Sequence, residues 1–101
     1  MTNPLYCLYL LNCDNDILYT GIAINPVQRL KHHQSKKPPG AKFTRRFKDL
    51  KLVYQVTVGN RSQAQNLEYH VKQLCKQDKI TVIEQQLSLT ELQDFISLKT
   101  V

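Results

Sequence analysis

Five side chains of types that can do phosphate chemistry fall at positions where periodicity gives them a direction. Over 62–76, Ala64, Leu67, Val71, Leu74 and Cys75 recur at helical spacing as one apolar stripe, and Glu68 projects at its edge. A carboxylate turned toward a core needs a metal ion or an arginine beside it, because an unpaired buried charge costs several kcal/mol. A surface ion pair with Lys72, four residues on, is the other arrangement open to Glu68. On the segment 26–34, Val27 and Leu30 supply the apolar stripe, and Arg29 and His33 lie together on its flank. The planar fork of an arginine suits two phosphate oxygens, although a solvated arginine and a surface histidine are the ordinary fate of such residues.

Tyr9 and Tyr19 stand on two short apolar runs, 5–11 and 17–22, separated by Asn12-Cys13-Asp14-Asn15-Asp16. The pattern predicts a β-hairpin, and its register decides whether the phenols meet. An odd loop, Cys13 to Asn15 with Asn15 left-handed, sets Asn12 opposite Asp16 and Tyr9 opposite Tyr19. A two-residue loop puts the tyrosines on opposite faces. Gly21 shares the face of Tyr19 and, lacking a side chain, leaves room for a group such as a phosphate. A phenol ionises near pH 10, so a tyrosine base needs a nearby cation or must work through an activated water. A cross-strand aromatic pair in the core is the plainer role for the same two residues.

The elements that must position these groups are legible along the chain. Asn25-Pro26-Val27-Gln28 opens a short helix to about Gln34, with a cap and proline at the first position. Residues 35–49 centre on Pro-Pro-Gly and form the most basic stretch, a loop with one helical turn late in it. Lys36, Lys37, Lys42, Arg45, Arg46 and Lys48 alternate there with Phe43 and Phe47, a combination suited to phosphates and stacked bases, or to a solvated loop that tucks its phenylalanines into the core. Leu52–Val58 is the clearest strand. Ser62-x-x-Gln65 opens a helix to about Lys76, Ile80–Ile83 is a short β-branched run, and Ser88-x-x-Glu91 caps a final helix. The order β-β-α-loop-β-α-(β)-α predicts an α+β fold with a small, mainly antiparallel three-stranded sheet flanked by helices.

Residues 1–77 hold 12 Lys and Arg against 4 Asp and Glu, whereas 78–101 hold 2 against 4, so a polyanion is expected on the first part. At 101 residues one domain is expected, with a core over about 5–80 and a C-terminal helical extension over about 81–101. No apolar run approaches a membrane span, and Met1-Thr2-Asn3-Pro4 lacks the basic start of a secretory signal, so a cytoplasmic protein is expected. Cys7, Cys13 and Cys75 form no C-x-x-C pair and are expected to be reduced thiols.

Taken in order, these features resemble the GIY-YIG nuclease superfamily, in particular its small single-domain UPF0213 members. Cys7-Leu8-Tyr9 stands in the place of GIY, with only the tyrosine kept, and Tyr19-Thr20-Gly21 in the place of YIG. Arg29 follows Tyr19 by ten residues as the family's arginine does, with His33 one turn beyond. Gly40-Ala41-Lys42-Phe43-Thr44 is similar to a segment of the small members, and Arg61-Ser62 leads to Glu68 as in the family. The lysine that some DNA-repair relatives carry after YIG is absent, with Ile22 and Ala23 in its place, and either Lys42 supplies its charge or nothing does. The resemblance implies a metal-dependent endonuclease acting on DNA in repair or recombination. It further implies magnesium or manganese on Glu68, Arg29 on a phosphate oxygen, Tyr9 or Tyr19 as base or positioner of water, and His33 as proton relay. A binding module with little turnover on the same fold is the alternative, and specificity is expected to come from the basic loop or from a targeting partner protein.

Overall fold

A computed structural model of the protein describes residues 4–35 and 47–99. Strands β1 (Tyr6–Cys13), β2 (Ile17–Ala23) and β3 (Leu50–Gly59) form an antiparallel sheet in the order β2-β1-β3. Helix α1 (Pro26–Gln34) follows β2, and α2 (Arg61–Lys72), α3 (Lys76–Gln85) and α4 (Leu89–Lys99) follow β3. This is the α+β fold with a three-stranded sheet that the element order predicts.

Strand β1 runs down the middle and alternates its side chains between two cores. Leu8 and Leu10, both fully buried, pack with Leu67, Val71, Val82, Leu92 and Ile96, so α2, α3 and α4 cover that face. Tyr9, Leu11 and Cys13 pack with Phe47, Leu50 and Leu30 on the face covered by α1. Tyr54 ties β3 to the approach to α4 through a 2.6 Å hydrogen bond from its hydroxyl to the Leu87 carbonyl.

The hairpin loop is odd, as the tyrosine argument requires, but it lies one residue further on than expected. Cys13 pairs with Ile17, and Asp14 and Asn15 both take the left-handed conformation, at φ 52° and 58°. Asp14 and Asn15 tolerate that region where a β-branched residue would not. The Asp14 carboxylate then accepts from the backbone N–H groups of Lys48 and Asp49, at 3.0 and 2.6 Å, which clamps the hairpin tip to the start of β3.

Four local expectations are corrected. Ile80–Ile83 lies inside α3, because burying Val82 in the core outweighs the strand preference of β-branched residues. The cap of α2 is Asn60, not Ser62, with reciprocal bonds to Gln63 at 2.8 and 2.9 Å, and the helix ends at Lys72. Cys75 therefore falls beyond the stripe and is exposed. On α1 the buried residues are Pro26 and His33, whereas Val27 is 50% exposed. The Asn25 cap and the Ser88–Glu91 capping box form as expected.

Candidate active site

Tyr9 faces Gly21 across the sheet and Tyr19 faces Leu11, so the tyrosines are diagonal neighbours on one face rather than direct partners. Their ring centroids lie 6.3 Å apart. A Cβ on Gly21 would stand 2.6 Å from both Cζ and Oη of Tyr9. The space left by that glycine is thus filled by the Tyr9 phenol, not kept for a phosphate.

His33 closes the group from α1. It is fully buried, its Nε2 lies 3.0 Å from the Tyr9 hydroxyl, and its ring meets Tyr19 edge-on at 5.3 Å. Spacing on α1 suggested a flank position for His33. The helix is rotated so that Pro26, Leu30 and His33 face the sheet, which is the i, i+4, i+7 set. Arg29, one turn before His33, is half-buried and lies close enough to the Tyr9 phenol for its guanidinium to favour the ionised form.

Glu68 comes from α2, which packs against edge strand β2. Its side chain is 22% exposed and pairs with Lys72 at 3.8 Å, so the surface ion pair weighed for it is present. It also lies near enough to both phenols for its charge to raise them. Burial is the main reason that the Tyr9 phenol is held well above its usual value. The Tyr19 phenol adds to that, the neighbouring Arg29 guanidinium acts against it, and Glu68 adds again. Tyr19 is raised by burial too, with Arg29 opposing and Glu68 reinforcing. Burial first, then the charges of Arg29 and His32, push His33 down to about 4.

Tyr9, Tyr19, Arg29, His33 and Glu68 therefore come together as one electrostatically coupled group. Of the residues expected on the basic loop, Lys36, Lys37, Lys42, Phe43, Arg45 and Arg46 lie outside the described residues. Lys48 is exposed at the clamped hairpin tip. Phe47 is 8% exposed within the Tyr9 core, so it anchors the loop rather than stacking on a base. Tyr69 is 62% exposed and packs edge-on against His70.

The GIY-YIG catalytic domain model matches residues 5–81, which spans every one of these five side chains. The chain belongs to the GIY-YIG family. Within that family it is 45% identical over 95 residues to the UPF0213 protein YE0453 of Yersinia enterocolitica, covering 93% of this chain and 96% of the relative. It is 46% identical over 93 residues to the UPF0213 protein YPTB0498 of Yersinia pseudotuberculosis, covering 91% and 96%. The solution NMR structure of the UPF0213 protein BH0048 from Bacillus halodurans superposes with a TM-score of 0.51 at 28% identity, over 88% of this chain and 93% of that one. Helix α4 lies beyond the family match and completes the core on the Leu8 face. No helix among the described residues is long and apolar enough to cross a membrane.

The sequence reasoning overlooks Lys79, which lines a hollow beside Tyr19 together with Lys72. The signal was available: Lys72, Lys76 and Lys79 repeat at i, i+4, i+7, although a helix break separates the first from the others.

Proposed function

We propose that this GIY-YIG domain is a metal-dependent endonuclease that hydrolyses DNA phosphodiester bonds, acting as one domain in DNA repair or recombination. The observation that carries the reading is the buried Tyr9 hydroxyl, 3.0 Å from His33 Nε2 and within the influence of both Arg29 and Glu68.

A phenol raised by burial is protonated at neutral pH and is a poor free base. The imidazole beside it, held at about 4, is neutral at the same pH and has a lone pair for a proton. In the tautomer with its proton on Nδ1, His33 accepts from Tyr9 at Nε2. An attacking water then gives its proton to the Tyr9 oxygen as Tyr9 passes its own to His33, so phenolate never builds up alone. Tyr19, edge-on to His33, fixes the ring and narrows the approach of water. The Arg29 guanidinium lowers the cost of negative charge on Tyr9 and would neutralise a non-bridging phosphate oxygen.

Among the described residues no three His, Cys, Asp or Glu side chains gather as a metal cluster. Glu68 is the one carboxylate near the tyrosines, and a single carboxylate completed by water and phosphate oxygens suits magnesium, which sheds water reluctantly. Bound there, magnesium or manganese would supply charge stabilisation to the phosphate and its leaving oxygen.

The Lys72–Glu68 ion pair favours a second reading, a nucleic-acid-binding module with little turnover, because it engages the carboxylate a metal would need. The two readings separate on a panel of labelled duplex, flap, junction and single-stranded DNA. The endonuclease reading predicts products with magnesium or manganese and none with EDTA. Salt-sensitive binding without products on any form favours the module.

A further inference from the structure

We propose that the hollow between edge strand β2 and helices α2 and α3 is a second, non-catalytic phosphate subsite, which holds the backbone of the substrate strand as it leaves the tyrosine site. The proposal rests on the nucleic-acid reading above and adds to it where the strand runs. The hollow has a volume of about 330 Å³ and is lined by Leu18, Tyr19, Thr20, Lys72 and Lys79, so it opens along the edge strand that carries Tyr19. A smaller hollow shares Leu18 and Lys79 with it and continues to Asp16 at the hairpin tip.

Three observations give this channel its chemistry. Lys79 is half-buried and has no ion pair among the described residues, whereas Lys76 is held by Asp16 at 3.0 Å. Among the described residues, Lys72 has only the long 3.8 Å ion pair with Glu68. Thr20 is 3% exposed, and its Oγ1 has no hydrogen-bond partner among the described residues. A buried hydroxyl left unpaired is costly, and Lys79, partly covered by the protein, brings to the hollow a positive charge with no ion pair among the described residues. A phosphate oxygen accepting from both groups would satisfy each. A nucleobase would gain little from two ammonium groups, so the backbone is the part of the strand that fits.

The test is the salt dependence of binding of a short fluorescein-labelled oligodeoxythymidylate, followed by anisotropy in EDTA so that nothing is cut. Lys72→Gln with Lys79→Gln should weaken binding about tenfold at moderate salt and make the slope of log K against log salt shallower by about 1.4, since each single-strand phosphate contact contributes about 0.7. Thr20→Val should raise the thermal midpoint, because an unpaired buried hydroxyl is removed, while weakening binding about threefold. A merely structural Thr20 would raise the midpoint and leave binding untouched, which would remove the hydroxyl from the subsite. A wild type that binds with a steep salt slope beside a double variant of equal affinity and slope overturns the subsite and leaves the catalytic reading standing. A wild type with no affinity at all overturns both.

Discussion

The Tyr9 hydroxyl is held by two neighbours with different tolerances. On one side His33 Nε2 fixes its direction at 3.0 Å, and on the other Gly21 gives it space that a methyl group would fill. Gly21→Ala should push the phenol off His33, because the added methyl group meets the Cζ and hydroxyl of Tyr9. Cleavage should fall far more than stability, and comparing single-turnover rates with urea midpoints checks this. His33 gives a pH prediction with a definite sign. Its folded value of about 4 lies below the ordinary 6.5, so between those values the unfolded chain binds the extra proton. This contribution to stability is whole above about pH 6.5, is lost as pH falls toward 4, and amounts to on the order of 3 kcal/mol. Urea midpoints from pH 7 to 4 should fall less steeply for His33→Gln than for wild type. These residues were legible in type and largely in spacing. The buried face of α1 was not, because Val27 beside Leu30 suggests an apolar stripe, and the helix instead turns Val27 outward and buries Pro26 and His33 on the same face as Leu30.

At the scale of elements, the Asp14 clamp sets where the hairpin ends and where β3 begins. Its carboxylate satisfies two backbone N–H groups from a residue whose own φ is 52°. Asp14→Ala loses the one oxygen, Oδ1, that accepts both bonds and strains the turn, and should cost about 1–3 kcal/mol by urea denaturation. Asp14→Asn, which tolerates the left-handed region and keeps one acceptor, should cost less. The odd loop was the legible part of the hairpin, and it sufficed to bring the two phenols to one face. Its position was off by one because the clamp depends on Lys48 and Asp49, more than thirty residues away, which local turn chemistry does not see. The same limit explains Ile80–Ile83: four β-branched or aliphatic residues in a row suit a strand locally, and only the packing of Val82 against α2, α4 and the sheet makes them helical. Helix caps find their partners within three residues, so the Asn25 cap and the Ser88–Glu91 box were readable. Asn60 was passed over because Ser62-x-x-Gln65 offers the same pattern two residues later.

For the whole molecule, the middle strand β1 divides labour between its faces. The Leu8 and Leu10 face builds the larger core with three helices, and the Tyr9 face holds the reactive group against one. Arg29 approaches from the helix on that face and Glu68 from the opposite layer at the edge strand, so the site depends on both layers being docked. Sequence periodicity placed each charge on its own helix, but their convergence is a property of the assembled sheet. The most direct measurement is single-turnover cleavage of a labelled DNA in magnesium, run beside anisotropy binding of the same DNA, for wild type, Tyr9→Phe and Glu68→Gln. Wild type should cut, and both variants should bind within a few-fold of wild type while cutting about 10²–10⁴-fold more slowly, the range for loss of a positioned acid–base group. Variants that cut at the wild-type rate would contradict the assignment of Tyr9 and Glu68 to one catalytic site.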